Sequence, residues 1–224
     1  MVSFAPEDRA RVSAAVAAAE RGSNGEIVTV AAERSDAYHD VGLHYAVLAM
    51  LLVPALLAVL PQSAIDRGLG LFAGWDETIT RGALMALLFA KLAAVFLIVR
   101  YALAWPRLRM ALTPGTTKAR RVRRRAVELF RAAAERRTAE RTGVLLYLSL
   151  LERRAEIVAD EAIHARVAPE LWGDAMAALL EDVKAGRPAE GMVRAVEMIG
   201  AILAEHSPVG QGDANELPDR LITL

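Results

Sequence analysis

The chain has no cysteine, so disulfides and thiolate-held metals are excluded. Only 5% of its 224 residues are aromatic. None interleaves with the basic residues of its most basic stretch, so a base-stacking nucleic-acid surface is not expected. No glycine-rich phosphate loop of the usual spacing occurs, and no serine sits in a nucleophile-elbow pattern. The four histidines, His39, His44, His164 and His206, do not fall at metal-ligand spacing. His39 and His44 are five residues apart, which does not bring two ligands onto one helix face. The opening MVSFAPEDRA lacks the basic region and apolar core of a signal peptide, so export as a cleaved precursor is not expected. No internal repeat is visible.

What the chain does have is a pair of long apolar runs. Residues 41–65 contain no Asp, Glu, Lys or Arg, and within 82–105 only Lys91 and Arg100 interrupt. A membrane-crossing helix needs roughly 20 apolar residues, and backbone in lipid must satisfy its own hydrogen bonds, so both runs are expected to be helical spans. Pro54 inside the first implies a kink, while Tyr101 and Trp105 suit an interface. Formal charge sums to zero but is unevenly placed. Arg107, Arg109, Lys118, Arg120, Arg121, Arg123, Arg124 and Arg125 follow the second run with no acidic residue among them. Basic flanks stay in the cytoplasm. The expectation is therefore a two-span protein of the bacterial inner membrane with both termini cytoplasmic. The arginines at 120, 121, 123, 124 and 125 would touch anionic headgroups, which attract such segments by about 1 kcal/mol per basic residue. Abundant Ala, Leu and Arg fit a GC-rich bacterial genome.

The remainder reads as α/β. Helix is expected over residues 6–21, where Val12, Ala15, Val16 and Ala19 share one face behind a Pro6 start. The turn residues 22–25 follow, then a short apolar strand over 26–32. A long helix is expected over 118–140, with Val122, Ala126, Leu129, Phe130 and Ala133 on one face. Strands over 143–151 and 155–159 are joined by a tight turn at 152–154. Helices are expected over 161–167, 170–185 and from Pro188 onward, then a Pro/Gly-rich tail. The segment between the first two strands is long enough for a parallel crossover. The fold class is thus α/β, a small mixed sheet flanked by helices, with a transmembrane helical hairpin inserted after the first strand. The expected divisions are 1–40 and 107–208 as two halves of one domain, 41–106 as the hairpin, and 209–224 as a tail.

Three stretches carry a family resemblance: SNGEIVTVAAERS at 23–35, TGVLLYLSLLERRAEIVAD at 142–160 with Trp172 beyond it, and KAGRPAEGMVRAVEMIGAILAEH at 184–206. Together they resemble the TPM domain, here split by the apolar insert. The resemblance implies an α/β fold with a small central sheet. It also implies the activities connected with the family, acid phosphatase in a thylakoid-lumen member and metal binding. Where the family commonly has Asn-Gly before the second strand, this chain reads Thr142-Gly143. Where a Gly-Tyr-Gly-Leu-Glu-like stretch follows the third, it reads Asp160-Glu161-Ala162-Ile163-His164.

Candidate chemistry is sparse. If the first two strands run parallel and the third antiparallel, Glu26, Glu140 and Asp160 approach one end of the sheet, where three carboxylates could hold a hard divalent cation. The commoner arrangement, and the one expected here, has Asp160 capping the helix that follows it and the glutamates facing solvent. Lys91 near the middle of the second run would cost roughly 2.5–3.5 kcal/mol at the bilayer centre. It snorkels, or faces another subunit or a watery crevice. Trp172 is a candidate partner-binding residue. The function expected is a membrane-anchored, non-catalytic module that binds or helps assemble a membrane complex. The alternative is a metal-assisted acid phosphatase using Glu26, Glu140 and Asp160.

Overall fold

The computed structural model describes residues 4–70, 80–133, 143–208 and 220–224. In chain order its elements are α1 (Pro6–Glu20), β1 (Glu26–Ala32), α2 (His39–Val59), α3 (Gln62–Gly70), α4 (Arg81–Ala102), α5 (Pro106–Leu112), α6 (Gly115–Ala133), β2 (Gly143–Ser149), β3 (Arg154–Ala159), α7 (Glu161–His164), α8 (Pro169–Lys184), α9 (Pro188–His206) and β4 (Ile222–Thr223). They form two compact units, Met1–Ala37 with Pro114–Leu224, and Tyr38–Thr113. Proline supplies the first turn of α1, α5, α8 and α9, where its fixed φ fits and its missing N–H leaves nothing unpaired.

The first unit is a mixed α/β body. Its sheet has the order β3-β2-β1-β4. β1 runs parallel to β2 from Glu26 beside Gly143 to Ala32 beside Ser149, and β3 is antiparallel to β2. Every residue of β1 and β2 is buried, as expected of strands covered on both faces. The alternation of side chains divides them between two cores. Ile27, Ala31, Val144, Leu146 and Leu148 join Val12 and Val16 of α1, Leu179 of α8 and Ile199 of α9 on one side. Val28, Val30, Leu145 and Tyr147 meet Val122, Ala126 and Phe130 of α6 on the other.

Glycine makes two of the close helix approaches possible. A Cβ at Gly200 of α9 would fall 2.6 Å from the Ala19 Cβ of α1, and one at Gly191 would fall 2.8 Å from the Leu179 backbone oxygen of α8. The fourth strand, β4, was not expected. It bonds parallel to β1, with the Leu224 N–H donating to Ala31 O and the Glu33 N–H donating to Leu224 O.

The second unit is helical. α2 and α4 pack on one another and are 21 and 22 residues long, each long and apolar enough to cross a membrane. The two expected spans are these helices, with slightly different limits. α4 has no buried residue at all, and α2 buries only Val41, Gly42 and Ala46, at its start. Pro54 lies inside α2. α5 is an addition to the expected hairpin. Pro106 ends α4's run and opens this seven-residue helix. From its last turn the Arg109 guanidinium donates back to Leu103 O, ahead of the helix, at 3.4 Å, and at its end the Tyr45 hydroxyl of α2 donates to Leu112 O at 3.0 Å.

Candidate functional site

The amino end of β1 and β2 holds two of the three expected carboxylates. Glu26 opens β1 beside Gly143, the first residue of β2, and Asp160 follows the last residue of β3 at the same end. Both are buried. Glu140 lies outside the described residues.

Asp160 does not do what a capping residue does. Its side chain makes no cap hydrogen bond to α7. Instead it accepts the Gly143 N–H at 2.8 Å, while its own N–H donates to Gly143 O at 2.9 Å. The antiparallel register sets this: Ala159 pairs with Val144, so the next residue faces the amide that starts β2. One carboxylate oxygen is thereby spent on the sheet. Among the described residues no group of three or more histidines and carboxylates is gathered that could hold a metal. A further carboxylate reaches this end from α1, where Glu20 Oε1 accepts the Ile27 N–H at 2.7 Å.

The opposite end, at the carboxyl ends of the two parallel strands, carries a polar network that sequence reasoning missed. The Glu152 carboxylate accepts the Ser35 N–H at 2.8 Å and the Ser149 hydroxyl. The hydroxyls of Ser35 and Tyr147 lie 3.0 Å apart. Beyond β2 the main chain continues to pair, the Leu150 N–H with Ala32 O and the Leu151 N–H with Glu33 O. Burial pushes the Tyr147 hydroxyl above its ordinary value, the Glu152 charge adds to this, and the hydrogen bond with Ser35 opposes it. The network fastens the chain leaving β1 to the β2–β3 turn. The one trace of it in the sequence is Ser149 three residues before Glu152.

The arginines of α6 are less free than a bare run implies. Arg121 and Arg124 share Asp36, at 2.9 and 3.4 Å. Arg123 meets Glu156 of β3 at 3.2 Å, and Arg125 meets Glu128 at 3.4 Å. Arg120 is exposed. Trp172 is only 6% exposed and packs in the core between the sheet, α8 and α9, with an indole N–H that has no hydrogen-bond partner among the described residues. Lys91 lies exposed midway along α4.

These features define a mixed α/β protein whose second unit carries two candidate membrane helices. Residues 106–202 match the TPM domain family. The match is to the domain that the resemblance named; it spans less than half of the chain and begins at Pro106, where α5 opens. A solved structure, the NMR structure of BA42 protein from the psychrophilic bacteria Bizionia argentinensis sp. nov., is similar with a TM-score of 0.56 at 17% identity, covering 100% of this chain and 97% of that one. At that identity the likeness is one of fold. No curated protein matches.

Proposed function

We propose that this protein is a membrane-anchored TPM module that binds a partner in the bacterial inner membrane, crossing the bilayer with α2 and α4 and keeping both termini in the cytoplasm. The observation that carries the reading is the exposure of α4. A 22-residue apolar helix that packs on α2 yet has no buried residue leaves most of its apolar surface uncovered by the protein, and lipid is the solvent that accepts it. The charge asymmetry supports the orientation, because no Asp or Glu stands between Glu77 and Glu128 while Lys and Arg crowd the segment after α4.

Binding rather than catalysis is supported by where the described polar groups are spent. Asp160 is bonded to Gly143, Glu152 to Ser149 and Ser35, and Asp36 to two arginines. Each serves the fold. The exposed basic face of α6 is the surface left to meet a partner.

Carbonate washing of native membranes should leave the full chain in the pellet. Pulldown from detergent-solubilised membranes should then recover a membrane partner that an Arg120→Glu, Arg123→Glu double variant loses. Release by carbonate would refute the anchor. Identical partners from both forms would refute this recognition surface.

A further inference from the structure

Two basic stretches follow α4, the short helix α5 and the arginine run of α6. We infer that α5 lies in the headgroup layer of an anionic bilayer, with Trp105, Leu108 and Leu112 dipping toward the acyl chains and Arg107 among the phosphates. This rests on the membrane reading above and names the lipid contact that goes with it.

Three observations point there. First, Trp105, Leu108 and Leu112 fall at i, i+3 and i+7, one face of a helix, and all three are exposed, at 67%, 40% and 44%. Second, this face is held outward. A seven-residue helix is too short to persist alone, yet the last turn of α5 is tied twice, by Arg109 back to Leu103 O and by Tyr45 of α2 to Leu112 O. Its other face is turned inward, with Arg109, Met110 and Thr113 buried. The protein thus fixes a tryptophan and two leucines in an exposed position where water disfavours them.

Third, the face continues an apolar surface and carries the charge that suits its neighbour. α4 ends at Ala102, three residues before Trp105, with Tyr101 71% exposed in its last turn. Tryptophan and tyrosine concentrate at the level of the headgroups, apolar ring inward and polar edge outward. Arg100 and Arg107 bracket the aromatic pair with no acidic residue near in sequence, which selects anionic over neutral headgroups. On α6, by contrast, four of the five arginines at 120–125 are already within ion-pair distance of carboxylates.

The absence of cysteine makes the test clean. Single-cysteine variants of the full chain, Leu108→Cys, Leu112→Cys, Arg107→Cys, Leu51→Cys and Ile98→Cys, are spin-labelled and reconstituted in phosphatidylcholine vesicles with or without phosphatidylglycerol. Depth is read from collisions with oxygen against a water-soluble nickel complex. Labels at 108 and 112 should favour oxygen several-fold over the label at 107, though less than labels at 51 and 98. The preference at 108 should deepen when phosphatidylglycerol is present, and an added Arg107→Gln should abolish that increment. Labels at 51 and 98 in lipid with those at 108 and 112 in water would overturn the α5 assignment alone. Water at all four would overturn the membrane reading with it. No response to phosphatidylglycerol would overturn the headgroup selectivity.

Discussion

The body and the helical unit use the same apolar vocabulary in opposite ways. β1 and β2 bury every residue they contain, whereas α4, richer in large apolar side chains, buries none. Leu146 is wholly enclosed and Phe89 is 73% exposed. Hydrophobicity alone therefore does not say where a side chain goes. The periodicity and length of the run do, because a seven-residue strand can be covered by helices on two faces and a pair of 20-residue apolar helices leaves most of its surface outside.

The largest expected effect probes that contrast directly. Leu146→Ala opens a cavity between the sheet and α8 and α9, and should lower stability by about 2–5 kcal/mol. Phe89→Ala removes a larger side chain but should change the unfolding free energy by less than about 0.5 kcal/mol, since it deletes no protein packing. Denaturation of the two full-length variants in the same detergent measures both. Similar losses would mean that the Phe89 side chain is packed against protein after all.

A second comparison uses one substitution in both units. Gly200→Ala places a Cβ 2.6 Å from that of Ala19, forcing α1 and α9 apart at a cost of about 1–3 kcal/mol. Gly82→Ala, in the first turn of α4, meets nothing within 4 Å and should be neutral or stabilise through helix propensity, by up to about 1 kcal/mol. Thermal unfolding of the pair reads the difference in sign.

Much of the body was legible because its signals are local. The limits of β1 follow from a short run, Ile27 to Ala32, that is apolar except for Thr29 and lies between a Gly-containing turn and a polar connector, and its parallel pairing with β2 from the length of the crossover. The misses share a cause: the information lies in a partner far away in sequence. β4 is two residues joined to β1 through main-chain bonds that leave no side-chain pattern. α5 is seven residues directly behind the second apolar run, too short to separate from that run by pattern alone. Asp160 looks like a cap until Gly143, seventeen positions away, presents an amide. The arginines of α6 look like a free charged run until Asp36 and Glu156 are brought to them by the fold.

Tyr147 offers a pH-dependent probe confined to the body. Its folded-state proton is held above the ordinary value near 10, chiefly by burial, so between the unfolded and folded values the native state binds more protons than the unfolded one. Stability is thus fully present below pH 10 and falls as pH rises beyond it. Tyr147→Phe should flatten that alkaline decline and, through loss of the bond with Ser35, lower stability at neutral pH by about 1 kcal/mol. Urea unfolding across pH tests both. An alkaline slope unchanged in the variant would assign the decline to other groups.

The smallest effect concerns which side of the comparison the arginine run belongs to. The Asp36 carboxylate reaches both Arg121 and Arg124. The Arg121 side chain is largely enclosed and that of Arg124 mostly solvated, so their pairs with Asp36 are unequal. Exposed pairs contribute about 0.2–1 kcal/mol, and salt screens what they contribute. Asp36→Asn should accordingly cost less than about 1 kcal/mol at low ionic strength, most of it through Arg121, and the loss should shrink as salt is added. A loss of that size would make the run part of the body, its charge already balanced by the fold. No change at any salt concentration would mean that the pairs hold nothing, and that the arginines of α6 remain available to phosphate groups outside the protein.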